Sequence, residues 1–330
     1  ELRTLALRAG ERAGLECEVT AYPLVFSAAN RIASAAQLDV DPGSYLVCAR
    51  APGFEDQRVP FVVPRRAAVR VRVELLAAGS TPPGYVYVAG GPAIVGGDPD
   101  AFRPRAASEV DVPAFFLARR ELTNRDWFEF VNDPATRAKI DARAPQQHGY
   151  LPQDDRVFAK RVDAGWTFDV YTATSADTPV LGLAWTDVRE YLAWRNARAE
   201  ANGETWRYDL PSVAEWEKAA RGADGRAFPW GNRFDPSLTV CLVRRKGFLL
   251  DAPGGYEPRD ESPYGVLDLA GSREEWLRDP VEGAEAPQYK KRGGHWSTAV
   301  EKVFHCASDA FASQDRFAST QGVRLVARRP

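Results

Sequence analysis

The chain has 330 residues, of which 45% are hydrophobic and 27% are charged. These are the proportions of a soluble globular protein that is long enough for two domains. Its 43 basic and 45 acidic residues leave a net charge of −2, which excludes a general attraction to nucleic acid or to an anionic membrane surface.

Targeting and membrane signals are absent from the pattern. No apolar run approaches the roughly 20 residues of a membrane span, and no signal peptide is visible. We therefore expect a cytoplasmic protein that does not bind membranes. The chain contains no methionine and begins within a pattern at Glu1, so we also expect it to be a piece of a longer polypeptide.

Residues 1–80 show the patterns of β structure. Val69, Val71 and Val73 alternate with charged residues, which is the period of a half-buried strand, and Leu15, Cys17 and Val19 alternate in the same way. The turn at 41–44 predicts a strand at 45–48. The run 38–54 resembles the PEGA-type β-sandwich modules of bacterial envelope and signalling proteins. We predict a small all-β sandwich, PEGA-like or immunoglobulin-like, over 1–80.

From Gly84 onward the pattern changes to short strands and helices. The stretch 85–88 predicts a strand. A first helix should begin after Thr123, because Asp126 stands three residues later in a box-like cap. Trp127, Phe130 and Val131 then form its apolar face.

Two further helices follow the first. The second is predicted from about Asp187, with its end at Asn202-Gly203. The third begins with the capping box of Ser212 and Glu215, and Gly222 stops it. After Gly231 the pattern predicts loops and short strands without a long helix.

Eight motifs in the second part of the chain carry a family resemblance. The motifs occur in the family's order: GYVYVAGGPAIVGGD (84–98), ELTNRDWFEFVND (121–133), PVLGLAWTDVREYLAW (179–194), LPSVAEWEKAARG (210–222), FPWGN (228–232), SPYGVLDLAGSREEW (262–276), RGGHW (292–296) and GVRL (322–325). They resemble the formylglycine-generating enzyme, or sulfatase-modifying factor, domain. The resemblance implies an α+β, C-type-lectin-like domain over 84–330, preceded by the β-sandwich.

The resemblance also implies a copper site that this chain does not carry. The family's oxidases bind Cu(I) through two cysteines, five residues apart, just beyond the Gly-Gly turn. Counted from Gly293-Gly294, those positions are Thr298 and Val303, and neither side chain is a ligand for soft Cu(I). Cys306 offers a single thiolate, and a mixed site with His305 needs a bulge, since neighbouring strand residues point to opposite faces. We therefore expect no catalytic residues and interpret the domain as a pseudoenzyme.

Two other metal sites occur in related proteins. The related sulfoxide synthases use a His-rich iron site in an extra helical domain, and three histidines without that domain do not support it. The family often holds structural calcium at Gly-Asn-Val-Trp-Glu-Trp, which reads 271–276 here. Glu275 is kept, but Ser272 replaces the asparagine and Arg273 adds a positive charge, which weakens a site that needs six to eight oxygens. We expect no cofactor, or a weak structural calcium at Ser272 and Glu275.

The segment 295–316 is the candidate recognition surface. In lectin-like relatives the corresponding face binds ligands, and here it mixes hydroxyl, aromatic and charged residues, as protein-binding patches do. Period-two alternation requires that some of them point inward. The candidate ligand-binding residues are His295, Trp296, Ser297, Thr298, Val300, Lys302, Phe304, His305, Asp309, Phe311, Ser313, Asp315 and Arg316.

Three functional hypotheses follow. In the first, the domain is a bacterial sensor that binds a protein or other macromolecular ligand, attached to a Ser/Thr kinase domain upstream on the same chain. In the second, it resembles the variable proteins of diversity-generating retroelements, which vary residues between such anchor motifs. The alternative is a copper-dependent oxidase acting on a peptide cysteine.

Overall fold

The computed structural model describes residues 18–23, 33–34, 41–66, 69, 71, 73–142, 157–162, 165–170, 176–243 and 259–329. For 18–23, 33–34, 157–162 and 165–170 we describe the backbone alone. The α-helices are α1 (Asn124–Asn132), α2 (Pro134–Asp141), α3 (Trp185–Ala201) and α4 (Val213–Arg221).

Sixteen short strands accompany the helices in the described residues. They are β1 (Glu18–Pro23), β2 (Ala33–Ser34), β3 (Gly43–Arg50), β4 (Gln57–Val63), β5 (Tyr85–Val88), β6 (Gly91–Val95), β7 (Ser108–Val112), β8 (Phe115–Ala118), β9 (Val157–Val162), β10 (Gly165–Val170), β11 (Arg207–Asp209), β12 (Glu274–Pro280), β13 (Gln288–Arg292), β14 (Ala310–Ser313), β15 (Gln321–Gly322) and β16 (Val326–Arg328). Three four-stranded sheets have the orders β2-β1-β3-β4, β11-β16-β8-β5 and β14-β13-β12-β15. The pairs β6-β7 and β9-β10 form separate antiparallel ribbons.

The first sheet confirms the predicted strand at 45–48, which lies inside β3. Tyr45, Val47 and Phe61 form its small core. Val71 and Val73 are buried, as their alternation predicts, but the structure assigns no strand to them, so that strand prediction was wrong. Of the other predicted strand, Leu15 and Cys17 lie outside the described residues. The described residues within 1–80 form this one sheet, so the sandwich over 1–80 stays a prediction.

The three predicted helices are confirmed, with small changes at their ends. Thr123 and Asp126 form the capping box of α1, and Ser212 and Glu215 form that of α4. Helix α3 begins two residues before Asp187, without a side-chain cap. Helix α2 was not predicted. It begins where Asp133 accepts hydrogen bonds from the amides of residues 135 and 136.

The sheet β11-β16-β8-β5 separates two apolar cores. Along β8 the side chains alternate, so that Phe116 packs with α1 and α3 while Phe115 and Leu117 pack with α4. Trp127 and Trp216 are fully buried, one in each core. This arrangement follows from the period of two along a strand that is covered on both faces. Among the described helices, none has both the length and the apolar composition that a bilayer span requires.

Candidate binding surface

The turn that opens the 295–316 segment is fixed by two glycines. Gly293 and Gly294 have φ values of +101° and +71°, which favour glycine. A Cβ on Gly294 would stand 2.7 Å from Cδ1 of Phe304, and the amide of Gly271 donates to the carbonyl of Gly293. The chain direction after this turn is therefore set by the backbone.

Arg292 ties the turn to the interior. Its side chain is fully buried and donates to Glu217 Oε1 at 3.1 Å and to Asp309 Oδ1 at 3.0 Å. Glu217 also accepts from Arg221 at 2.9 Å. Because buried charges require matched partners, this network connects α4 to β13 and to the residues before β14. We call Arg292, Glu217 and Asp309 the anchor network.

Four of the predicted ligand-binding residues are buried. Trp296 is 5% exposed, and its indole donates to the carbonyl of Ser319; Phe304 is fully buried. His305 lies 2.7 Å from the Asp98 carboxylate, and Asp309 belongs to the anchor network. These four side chains are buried by contacts within the fold, which corrects their placement on the exposed surface. Their part in ligand binding stays a prediction. Each is held by a contact distant in sequence.

The other predicted residues lie at or near the surface. His295 is half-buried, and its Nδ1 lies 2.9 Å from Oγ of Ser297. Burial lowers the pKa of His295, so the ring is neutral at neutral pH. The remaining members are partly or fully exposed: Ser297, Thr298, Val300, Lys302, Phe311, Ser313, Asp315 and Arg316.

An apolar patch beside Thr298 was missed by the sequence reasoning. The amide of Leu242 donates to the carbonyl of Thr298 at 3.0 Å, which brings 242–243 next to the predicted segment. Leu242, Val243 and Val300 are 50%, 56% and 48% exposed. We call these three residues the apolar patch. No sequence pattern predicts it, because its two parts are far apart along the chain.

A second missed feature joins Phe311 and Lys302 to another loop. The amide of Phe102 donates to the carbonyl of Lys302, and the guanidinium of Arg103 lies 4.6 Å from the ring centre of Phe311. Arg103 has a φ of +53°, an uncommon conformation for a residue other than glycine. This loop widens the surface beyond 295–316.

The copper chemistry of the family has no thiolate pair here. Thr298 and Val303 occupy the two positions and are partly exposed. Cys306 is fully buried, and burial raises its pKa to about 12, so it remains a neutral thiol. In the described part of the chain, no group of three His, Cys, Asp or Glu residues is placed to hold a metal.

The residues predicted for calcium have other partners. Glu275 accepts from Arg324 at 2.6 Å and from the Trp216 indole at 2.6 Å. Ser272 donates to Glu121 at 2.9 Å. Burial, followed by the charges of Glu275 and Asp268, raises the pKa of Glu121 well above its ordinary value. The Glu275 carboxylate is thus engaged by a guanidinium and an indole, and Ser272 is engaged by Glu121, so these two residues are a poor fit to an ion that needs six to eight oxygens.

Comparison with known proteins gives a family match. The model of the sulfatase-modifying factor enzyme 1-like domain matches residues 74–329. The chain is 28% identical over 244 residues to "Inactive C-alpha-formylglycine-generating enzyme 2" of Mus musculus, covering 65% of this chain and 74% of that protein. It is 28% identical over 260 residues to "Hercynine oxygenase" of Mycolicibacterium smegmatis, covering 65% of this chain and 54% of that protein.

Solved structures share the fold at low sequence identity. PvdO from Pseudomonas aeruginosa superposes with a TM-score of 0.53 at 17% identity, covering 74% of this chain and 94% of that one. Treponema denticola variable protein 1 gives a TM-score of 0.50 at 17% identity, covering 74% and 95%. The mixed helix and sheet architecture is thus the C-type-lectin-like fold that the motifs imply.

Proposed function

Because this chain belongs to the sulfatase-modifying factor enzyme 1-like family and has Thr298 and Val303 at the thiolate positions, we propose that it is a non-catalytic, protein-binding module. The missing thiolate pair is the observation that carries the proposal. Without two thiolates, Cu(I) has no strong ligands at this turn, and the buried Cys306 does not replace them.

The exposed chemistry at the same turn supports binding. The apolar patch lies where the amide of Leu242 donates to the carbonyl of the half-exposed Thr298, two residues before Val300. Exposed apolar side chains rimmed by polar ones are typical of protein-binding sites. We propose that a protein ligand contacts this surface, either as the signal of a kinase-linked sensor or as the target of a variable protein.

The names of the relatives do not decide between a binding module and an enzyme. The mouse relative is named as inactive, whereas hercynine oxygenase is named as an enzyme. Sequence identity of 28% to each does not choose between them. The choice therefore rests on the residues at 298, 303 and 306 of this chain.

Peptide selection provides the binding test. A phage-displayed peptide library would be selected on the immobilised chain, and enriched peptides titrated by calorimetry against the Val300→Asp and Leu242→Asp variants. We expect at least about tenfold weaker binding, because a buried charge replaces an apolar contact. Val110→Asp is the matched control, since Val110 is 38% exposed on β7. Failure to enrich any peptide, or equal effects of all three variants, would contradict the proposal.

A copper titration tests the loss of catalysis separately. The chain would be titrated with Cu(I) and then incubated in air with a cysteine-containing sulfatase peptide. We expect neither copper uptake nor peptide aldehyde, measured by mass spectrometry. Aldehyde formation would establish the oxidase alternative.

A further inference from the structure

A cavity of about 780 Å³ lies apart from the binding surface. It is bounded by the start of β5, the residues after β8, the first turn of α1 and the middle of α3. Its volume is that of a site for a small organic ligand. None of the residues that line it belongs to the 295–316 segment or to the apolar patch.

Two tyrosine hydroxyls in the cavity lack partners among the described residues. Tyr191 is 3% exposed, and its ring contacts Trp127, Phe130 and Trp194 at centroid distances of 5.2 to 5.6 Å. The hydroxyl is what remains to face the cavity, and Tyr85 lines the same space. Burial raises the pKa of both tyrosines, so both stay protonated and can donate. Neither hydroxyl is among the fully buried polar atoms without a partner in the described residues, so both are open to the cavity and to a ligand.

Acceptor oxygens stand in the same wall. Oδ2 of Asp126 accepts from the amide and hydroxyl of Thr123, and Oδ1 makes no hydrogen bond to a described residue. Glu204 accepts from Arg195 at 2.9 Å and from the Tyr208 hydroxyl at 2.9 Å. The cavity thus combines donors that need acceptors with an acceptor that needs a donor.

The charges of the wall are largely matched within the protein. The guanidinium of Arg195 is paired with Glu204, and that of Arg119 is paired with Glu261 at 2.7 Å. An anionic ligand group would have to displace one of these partners or lose its hydration without compensation. A cation could pair with Asp126 but could not accept from the tyrosines, so the wall favours a neutral ligand with hydroxyl groups.

We propose that this cavity binds an uncharged, polyhydroxylated ligand of the size of a mono- or disaccharide. A hydroxyl group accepts from tyrosine and donates to Asp126 at the same time, which a carbonyl or an ammonium does not do. The half-buried ring of Trp206 lines the cavity and offers an apolar surface to the C–H groups of a sugar ring.

Saturation-transfer NMR on the full chain tests the proposal. The probes are a panel of neutral methyl glycosides, with glucuronate and glucosamine as charged comparators. We expect a neutral glycoside to bind, and Tyr191→Phe to weaken it about five- to tenfold, the effect of one lost hydrogen bond. Tyr264→Phe is the control, because Tyr264 is equally buried and does not line the cavity.

A second variant protects the test against misfolding. Trp206→Ala removes a half-buried wall residue and should also weaken the glycoside, while the circular dichroism of both variants stays that of the parent. Binding of glucuronate or glucosamine in place of neutral glycosides would overturn the proposal. So would the absence of binding by the whole panel, or an equal loss in Tyr264→Phe.

Discussion

Some buried charges in the described part of the chain form closely matched pairs. Glu275 and Arg324 are both fully buried and 2.6 Å apart, and the Trp216 indole completes the carboxylate. Removing one member of such a pair leaves the other charge uncompensated in a medium of low polarity. These residues therefore determine stability more than any surface ion pair.

Glu275→Gln should lower the free energy of unfolding by about 3–5 kcal/mol, because the Arg324 guanidinium loses its counter-charge. Urea unfolding monitored by tryptophan fluorescence measures the loss. Glu129→Gln is the matched control, since Glu129 pairs with Arg198 at the surface and exposed pairs contribute little. A similar loss in both variants would contradict this account.

Asp260 makes stability depend on pH. Burial, followed by the charge of Asp268, raises its pKa from 3.8 to about 7, and its Oδ1 has no hydrogen-bond partner among the described residues. Between pH 4 and pH 7 the folded state binds more protons at this group than the unfolded state does. The free energy of unfolding therefore decreases as the pH rises from 4 to 7, and the contribution of Asp260 is constant above pH 7.

Asp260→Asn should remove this loss. We expect the variant to be at least about 1 kcal/mol more stable than the parent at pH 7.5, and to show a smaller difference at pH 4.5. Urea midpoints at the two pH values measure it. A difference that grows toward low pH would show that the sign is wrong.

Residue burial within 295–316 was only partly predictable from the sequence. Alternation indicated that some side chains point inward, but the segment holds a short 3-10 turn at Glu301–Val303 as well as β14, so no single period applies. Phe304 packs with Phe228, Phe234 and Cys241 from distant loops, and Asp309 pairs with Lys290 and Arg292 of β13. Those contacts exist only in the folded chain. The exposure of Val300 was equally unpredictable, because it also depends on how distant parts of the chain pack.

Turns between elements depend on specific glycines. A Cβ on Gly271 would stand within 2.8 Å of the Val240 carbonyl oxygen, and closer still to Oγ1 of Thr239, at a φ of +100°. Gly283 has a φ of +71° with open space around its Cα. The two positions separate a packing requirement from a conformational one.

Gly271→Ala should abolish cooperative folding or reduce stability by more than about 4 kcal/mol, because backbone and side chain must both move. Gly283→Ala should cost only about 1 kcal/mol, the penalty of a left-handed alanine. Thermal unfolding of both variants tests the difference. Equal effects would mean that conformation alone decides.

Elements with local start and stop signals were the predictable ones. The capping boxes of α1 and α4 are written in four consecutive residues each, and both helices form as expected. Helix α2 carries a start signal at Asp133-Pro134 but little apolar periodicity, so the pattern did not reveal it. Val69, Val71 and Val73 lie outside the assigned strands, because alternation indicates which side chains are buried but does not supply the hydrogen-bonding neighbour that a strand needs.

At the scale of the whole molecule, the first sheet is attached to the family domain through Glu261. This carboxylate accepts from Arg58 of β4 at 2.8 Å and from Arg119 at 2.7 Å. The Arg58 guanidinium also donates to the carbonyl of Pro263 at 3.2 Å. These polar contacts hold the first sheet in a defined position against the family domain.

Arg58→Ala should weaken the attachment of the first sheet to the family domain by about 1 kcal/mol, since the pair of Arg58 and Glu261 is partly exposed. We expect faster amide hydrogen exchange in β3 and β4 and unchanged exchange in β8 and β16, measured by mass spectrometry. Arg50→Ala is the control, because Arg50 forms an exposed pair with Asp56 inside the same sheet region. Uniform acceleration across all four strands would contradict a local attachment.

The family and the fold were predictable because eight short motifs occur in order. The motifs contain residues that the fold requires at fixed places. Trp216 of α4 is fully buried in the core, and Gly293 and Gly294 adopt positive φ values that few other residues tolerate. The surface was less predictable, since its parts come from separate stretches such as 242–243 and 102–103. Local sequence motifs therefore predict the fold, whereas a surface built from distant stretches becomes visible only in the folded structure.

The anchor network also sets limits on how this surface can change. Arg292 is held by Glu217 and Asp309, and neither contact involves Ser297, Thr298 or Val300. Codons for those three positions should accept wide randomisation, while codons for Asp309 and Phe304 should tolerate almost none. A mutational scan would then show an interleaved pattern of permissive and intolerant sites. Exposed positions of the segment could then change one at a time while the buried anchor network stays the same.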